Sequence, residues 1–186
     1  MDNSITQSGR QLILVTGAAR SGKSEWAEKL ALETSKAVTY IATATIDPTD
    51  VEWQARILLH QQRRPATWQT VAAVVDLAKT IESALAEDCL LIDSLGTWVA
   101  NLLDRSDAEW EKLTQELLEI LPNSVATIVI VAEETGWGVV PAYPSGRLFR
   151  DRLGMLSRRI GSIANPVYLV TGGHVLNLSQ LGHKLD

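Results

Sequence analysis

Three observations predict an α/β fold, a mostly parallel sheet with helices on both faces. Continuous apolar runs have strand length, helix-spaced stretches alternate with them, and a glycine-rich loop joins the first run to the first helix. Residues 12–15, Leu-Ile-Leu-Val, read as the first buried strand, and residues 23–35 as the helix after the loop. Residues 37–43 form the second strand. Pro48 then ends a loop, and Asp50 is placed to cap a helix over 50–62, which Arg63-Arg64-Pro65 breaks. After an extended piece at 67–70, the spacing of Val71, Val74, Val75, Ala78, Ile81 and Leu85 predicts a helix over 71–86. Residues 89–92 are the next strand, followed by helices at 98–103 and 107–121, the second closed by Pro122. Residues 125–132 are a long apolar strand. A turn-rich loop over 136–144 leads to a basic amphipathic helix over 147–163, a last strand at 167–170, and a short piece opened by Gly172-Gly173.

The bulk properties fit this reading. At 186 residues the chain matches one domain, with residues 1–10 as a polar flexible tail and 11–186 as the folded unit. A hydrophobic content of 46% with 21% charged residues excludes a disordered or collagen-like chain. Seventeen Lys and Arg against twenty-two Asp and Glu leave a net charge of −5, which disfavours a general grip on nucleic acid and points to a small, locally held anion. No apolar run approaches the ~20 residues of a membrane span. The single cysteine, Cys89, sits in an apolar run and is expected to pack there, consistent with a reducing cytoplasm.

The chemistry concentrates in Gly17-Ala18-Ala19-Arg20-Ser21-Gly22-Lys23-Ser24, a full G-x-x-x-x-G-K-[ST] phosphate-binding loop in its required strand-then-helix context. Glycines at both ends let successive N–H groups turn inward, and the helix N-terminus adds a positive dipole end. Lys23 is expected to reach the β- and γ-phosphates and Ser24 to ligate Mg²⁺. Asp93, at the end of the 89–92 strand, is the expected second metal carboxylate, with a cap for the following helix as its alternative. On the 50–62 helix, Trp53, Ile57, His60 and Arg64 share one stripe. Spacing leaves His60 open between a packing residue and a nucleophile, for which neutral imidazole is suited at pH 7. Arg63 and Arg64 beside it suit phosphate binding. His174 and His183 lack metal-ligand spacing. A basic cluster at Arg147, Arg150, Arg152, Arg158 and Arg159 reads as a solvated helix face or subunit contact before a nucleic-acid face.

Several stretches together carry a family resemblance: the loop with its strand (14–24), Tyr40-Ile41-Ala42-Thr43-Ala44, Ala55-Arg56-Ile57 with His60, and Arg64-Pro65-Ala66-Thr67-Trp68. To these are added Asp93 with Trp98 and Asn101-Leu102-Leu103, Gly136-Trp137-Gly138-Val139-Val140-Pro141, and Arg147-Leu148-Phe149-Arg150-Asp151. The chain resembles the adenosylcobinamide kinase/adenosylcobinamide-phosphate guanylyltransferase family of cobalamin biosynthesis. That resemblance implies a RecA-like P-loop fold, commonly a homotrimer, and two reactions. The γ-phosphoryl of ATP or GTP passes to the aminopropanol hydroxyl of adenosylcobinamide. The histidine matching His60 then takes GMP from GTP and delivers it to adenosylcobinamide phosphate. By the same resemblance, Gly17 to Ser24 bind phosphates, Ala42, Thr43, Ala44, Gln61, Gln62, Arg63 and Arg64 line the guanine nucleotide site, and Asp93 completes it. The chain departs from the family pattern in three places. It has Glu133-Glu134 where Asn-Glu is usual, Met155, Ser157 and Arg158 within the usual Gly-Arg-x-Asn-Gln, and Ala72 where a glutamate is often found. A plain P-loop small-molecule kinase and a nucleotide-binding regulator are the competing readings.

Overall fold

The computed structural model describes residues 10–45 and 49–185, apart from the side chains of residues 53, 56 and 60. Residues 1–9 of the expected tail and Pro48 therefore lie outside the described residues. Seven strands form one sheet: β1 (Leu12–Gly17), β2 (Ala37–Ala42), β3 (Gln69–Ala72), β4 (Asp88–Asp93), β5 (Thr127–Glu133), β6 (Val167–Thr171) and β7 (His174–Asn177). Their order is β3-β2-β4-β5-β1-β6-β7, parallel except for β7, which runs antiparallel to β6. The helices are α1 (Lys23–Glu33), α2 (Val51–Arg63), α3 (Leu77–Glu82), α4 (Leu95–Asn101), α5 (Asp107–Ile120), α6 (Pro144–Ile163) and α7 (Leu178–Leu181).

The strands read as unbroken apolar runs because both sheet faces are covered. Ile13, Val15, Leu91, Val129 and Val131 pack with Ala27, Leu30 and Ala31 of α1 on one face. Their neighbours Leu14, Leu90, Ile92, Ile128 and Ile130 pack on the other face with Leu77, Trp98, Leu117, Leu153 and Ile160, from α3, α4, α5 and α6. Cys89 is fully buried in the first of these cores, and burial pushes its thiol up to about 11.

The main departure from the sequence expectation is the predicted helix over 71–86. Val71 and Ala72 instead close β3, in parallel register with Ile41 and Ala42, and α3 begins only at Leu77. Cross-strand pairing beside β2 overrides the helical spacing there. α4 starts three residues earlier than expected because Ser94 caps it, exchanging bonds with Thr97 in a capping box. α6 likewise starts at Pro144, a residue pre-set for a first helical position. Gly172 and Gly173, with φ of 56° and 75°, supply the two left-handed residues of the β6–β7 turn.

Parallel pairing brings the carboxyl ends of the strands to one edge. Gly17 pairs with Glu133, and Asp93 with Ala42 and Val131. β5 thus separates the glycine-loop strand from the Asp93 strand, the order of a RecA-like P-loop sheet. Such an edge is where open parallel sheets bind ligands.

Candidate active site

The loop after β1 is shaped for close approach. A Cβ on Gly17 would lie 2.5 Å from the Val170 carbonyl oxygen, so no larger residue fits. Arg20 and Gly22 take left-handed φ values of 60° and 93°, turning the chain into α1. Lys23 opens α1, is buried, and donates from Nζ to the Ala18 carbonyl at 3.2 Å across the loop. The Ser21 hydroxyl is buried without a hydrogen-bond partner among the described residues. A buried ammonium held by a backbone carbonyl and an orphaned hydroxyl in one loop are groups that phosphate oxygens would satisfy.

Asp93 faces this loop from β4. Ser24 Oγ donates to its Oδ1 at 3.4 Å, and the Tyr40 hydroxyl donates to Oδ2 at 3.3 Å. The cap of α4 is Ser94, so the capping alternative for Asp93 does not hold. Two hard oxygen donors facing each other at the mouth of a phosphate loop suit Mg²⁺. Burial, reinforced by the neighbouring Asp93 charge, pushes the Tyr40 phenol well above its ordinary 10.0, so it stays a donor.

The other expected residues divide into those at the cradle and those turned away. Ala42 ends β2 beside Asp93, and Ala44 is half-buried just beyond it. Thr43 is fully buried. Its hydroxyl donates to Ser94 O at 2.7 Å and accepts from Ser94 N, and Asn101 Nδ2 donates to its carbonyl at 2.7 Å. Thr43 therefore latches β2 to the β4–α4 turn, and its side chain points away from the cradle. Ala72 pairs with Ala42, which puts that departure on the same edge. His60 lies in the last turns of α2, and its side chain is outside the described residues; Gln61 and Gln62 beside it are exposed. Arg63 joins α2 to α1 through Glu25 at 3.1 Å and Glu28 at 3.3 Å. The Arg64 guanidinium stacks 3.5 Å from the Tyr40 ring centroid and donates to Thr70 Oγ1 at 3.4 Å. The helix that carries His60 is thereby fixed at its C-terminal end beside the Tyr40–Asp93 pair.

Two further contributors were not among the expected site residues, although the sequence had marked Glu133 as a departure from the family pattern. Glu133, at the end of β5, accepts from the Gly96 N–H at 2.9 Å, and burial raises its carboxyl above the ordinary 4.5 despite the opposing Ser94 hydroxyl and Lys23 charge. Glycine at 96 leaves room for this contact, since a Cβ there would overlap the Glu133 carboxylate unless that side chain moved. The Glu133-Glu134 pair at a strand end was the available signal for the first; an isolated glycine in a helix gave none for the second. The basic cluster does not form one face. Arg152 is buried against Leu102 O, Arg105 O and Asp107, Arg159 pairs with Glu111, and Arg147 donates to the Pro141 and Ala142 carbonyls. Among the described residues, no helix is long and apolar enough to cross a membrane.

Two solved structures share this fold at low sequence identity. One is a Pyrococcus horikoshii protein described as project PH0250, with a TM-score of 0.58, 7% identity, and coverage of 95% of this chain and 91% of that one. The other is an ATP synthase subunit, NeqB, from Nanoarcheaum equitans, with a TM-score of 0.54, 12% identity, and coverage of 94% and 53%. Curated relatives are much closer. The bifunctional adenosylcobalamin biosynthesis protein CobP of Pseudomonas aeruginosa is 42% identical over 166 residues, 86% of this chain and 92% of the relative. The corresponding CobU of Escherichia coli is 37% identical over 177 residues, 87% and 96%, and that of Salmonella typhimurium 36% over the same shares. The model of the cobinamide kinase/cobinamide phosphate guanyltransferase family matches residues 13–178, which includes the loop, α2 and Asp93. With relatives this similar over nearly their whole length, the chain belongs to the cobinamide kinase/cobinamide phosphate guanyltransferase family.

Proposed function

We propose that residues 11–186 act as one catalytic unit in which a single phosphate cradle serves both reactions of the family. The observation that carries this reading is the convergence at one sheet edge of Lys23, Ser24 and Asp93 with the C-terminal end of the helix bearing His60. In the first reaction the γ-phosphoryl of ATP or GTP passes to the aminopropanol hydroxyl of adenosylcobinamide. Gly17 to Gly22 direct backbone N–H groups at the phosphates, and Lys23 stabilises the charge that builds on the transferring group. Mg²⁺ held by Ser24 and Asp93 would neutralise phosphate charge. In the second reaction His60 attacks the α-phosphorus of GTP and pyrophosphate leaves, so GMP is held as a phosphoramidate. The phosphate of adenosylcobinamide phosphate then displaces the imidazole, giving adenosylcobinamide-GDP and free His60. Arg63 and Arg64, one turn on, would exchange their carboxylate and aromatic partners for nucleotide phosphates, and Ala42, Ala44, Gln61 and Gln62 would border the guanosine. The exposed apolar residues Leu58 and Leu59 of α2, with Val139 and Val140, support assembly of copies, read here as a homotrimer and tested by light scattering. The one buried cysteine supports a cytoplasmic location.

GTP labelled at the α-phosphate tests the scheme. Label that survives denaturation, is released by acid, and is absent in His60→Ala is expected, with phosphorylation of adenosylcobinamide retained by that variant. Phosphorylation without any protein-bound label would reduce the chain to a plain kinase. GTP binding without corrinoid turnover would make it a regulator.

A further inference from the structure

A cleft of about 660 Å³ opens on the α6 side of the sheet, next to the phosphate loop. Its inner end is formed by Thr16, Glu133 and Glu134. Thr16 donates its hydroxyl to the Glu134 carboxylate, and Glu134 N donates to Gly17 O at 2.9 Å, so this end is continuous with the cradle. One wall is the α6 stripe of Gly154, Ser157 and Arg158. A Cβ at Gly154 would meet nothing within 4 Å, and the Ser157 hydroxyl is buried with no partner among the described residues. Arg158 is exposed and, unlike Arg150, Arg152 and Arg159, has no ion pair among the described residues. Leu14 and Leu178 add apolar surface, and Trp137, 67% exposed, stands at the rim.

The chemistry of the space follows from these groups. The nucleotide is expected from the side of α1, α2 and β2, where Lys23, Asp93 and Tyr40 gather. An acceptor hydroxyl must reach the γ-phosphoryl group in line, opposite the leaving phosphate, and so needs its own approach. The cleft supplies one. Its unpaired hydroxyl and guanidinium are donors for carbonyl oxygens, its floor is apolar, and its rim offers a flat aromatic face. A corrinoid's peripheral amide arms present such carbonyls, and its macrocycle is too large to enter but can lie against an indole.

We propose that this cleft binds the acceptor of the phosphoryl transfer: the hydroxyl-ended amide arm of the corrinoid enters toward Thr16 and Glu134, with Ser157 and Arg158 donating to its amide carbonyls and the macrocycle resting on Trp137. The inference rests on the kinase reading above. It also gives a use to Ser157 and Arg158, where the chain departs from the usual family pattern.

The test is equilibrium dialysis of adenosylcobinamide, with steady-state phosphorylation alongside, on Gly154→Phe and Arg158→Met. Gly154→Phe fills the cleft from a position with room for a side chain, and Arg158→Met removes a surface charge without threatening the fold. Each is expected to weaken corrinoid binding and raise its KM by about tenfold or more, the scale of one lost hydrogen bond to a charged group. GTP affinity and incorporation of the α-phosphate label stay at wild-type levels. Wild-type corrinoid affinity in both variants overturns the proposal, as does a changed oligomeric state with corrinoid affinity intact, which would make the cleft a subunit interface. Wild-type protein that binds corrinoid without phosphorylating it overturns the kinase reading instead, and the dialysis still decides the site.

Discussion

α1 and α2 border the same cradle and are built in opposite ways. α1 buries Lys23, Ala27, Leu30 and Ala31 against the sheet, and its first residue is the cradle's cation. α2 leaves Val51 78%, Leu58 53% and Leu59 62% exposed, and its C-terminal end is joined to α1 and β2 through Arg63 and Arg64. The difference matches two chemical demands. A cation that stabilises transition-state charge acts best when it is fixed before reaction, because no reorganisation is then needed. On the proposed reading, His60 would have to meet an α-phosphorus and later yield GMP to a second substrate, which suits a carrier whose displacement uncovers little packed surface within the protomer.

The widest separation between the two helices should come from Lys23→Ala. Removing the cradle's fixed cation is expected to cost both reactions about 100- to 1000-fold in kcat, the scale seen when a preorganised charge-stabilising donor is lost. His60→Ala, on α2, should cost only the guanylyl transfer. Single-turnover assays of each half-reaction check this, and a Lys23→Ala protein that still self-labels with GMP at wild-type rate would separate the cradle from the second reaction.

Rigidity on the cradle side can be probed where it is tightest. Gly96→Ala drives a methyl into the Glu133 carboxylate, the movable end of a side chain that must turn aside and give up its bond to the Gly96 N–H, and is expected to destabilise the protein by about 1 kcal/mol, lowering Tm by a few degrees. Adding Glu133→Ala should restore much of that loss, because the two residues share one contact. Additive losses in the double variant would mean that Gly96 is needed for another reason.

What could be read in the sequence divides along the same line. The glycine loop, the strand-end position of Asp93 and the buried strands were legible because local sequence dictates them: a glycine at a close approach (Gly17), another at a left-handed position (Gly22), and apolar runs that two covered faces demand. β3 was not, because Val71 and Ala72 owe their conformation to Ile41 and Ala42, thirty residues earlier in the chain. The inward turn of Thr43 and the pairing of Gly96 with Glu133 also arise between distant segments. For His60 the spacing left packing and nucleophile both open, and only the family resemblance favoured the second.

The tie between the helices offers a smaller effect. Arg63 pairs with Glu28, whose carboxyl is raised by burial even against the Arg63 charge, and with the exposed Glu25. Arg63→Ala should free the end of α2 by roughly the 0.3–1 kcal/mol of a partly exposed ion pair, which speeds amide exchange in α2 by about two- to fivefold. Exchange in α1 should hardly change. Equal acceleration in both helices would show that they open as one unit. Crystals grown with and without GTP extend the test, since an α2 that keeps its position in both would count against its role as a carrier.

The smallest effect belongs to Glu133, and its sign is fixed by where the carboxyl sits. Burial raises it above 4.5, with the Ser94 hydroxyl and Lys23 pulling it back and Asp93 adding to the rise. The folded chain therefore holds this proton to higher pH than the unfolded chain does. Stability from the group is complete below about pH 4.5 and is lost as pH rises through the raised value. Glu133→Gln keeps an oxygen for the Gly96 N–H and has no proton to lose, so it should melt higher than the parent at pH 8, with the gap closing toward pH 4. Melting curves of the two proteins across that range decide it, and a gap independent of pH would place the carboxyl in water. The raised carboxyl thus costs stability at neutral pH, at a position beside Lys23 and at the inner end of the α6 cleft. On the α1 side of the site even a destabilising charge is held in place by packing, whereas α2 is held mainly through Arg63 and Arg64 at its C-terminal end.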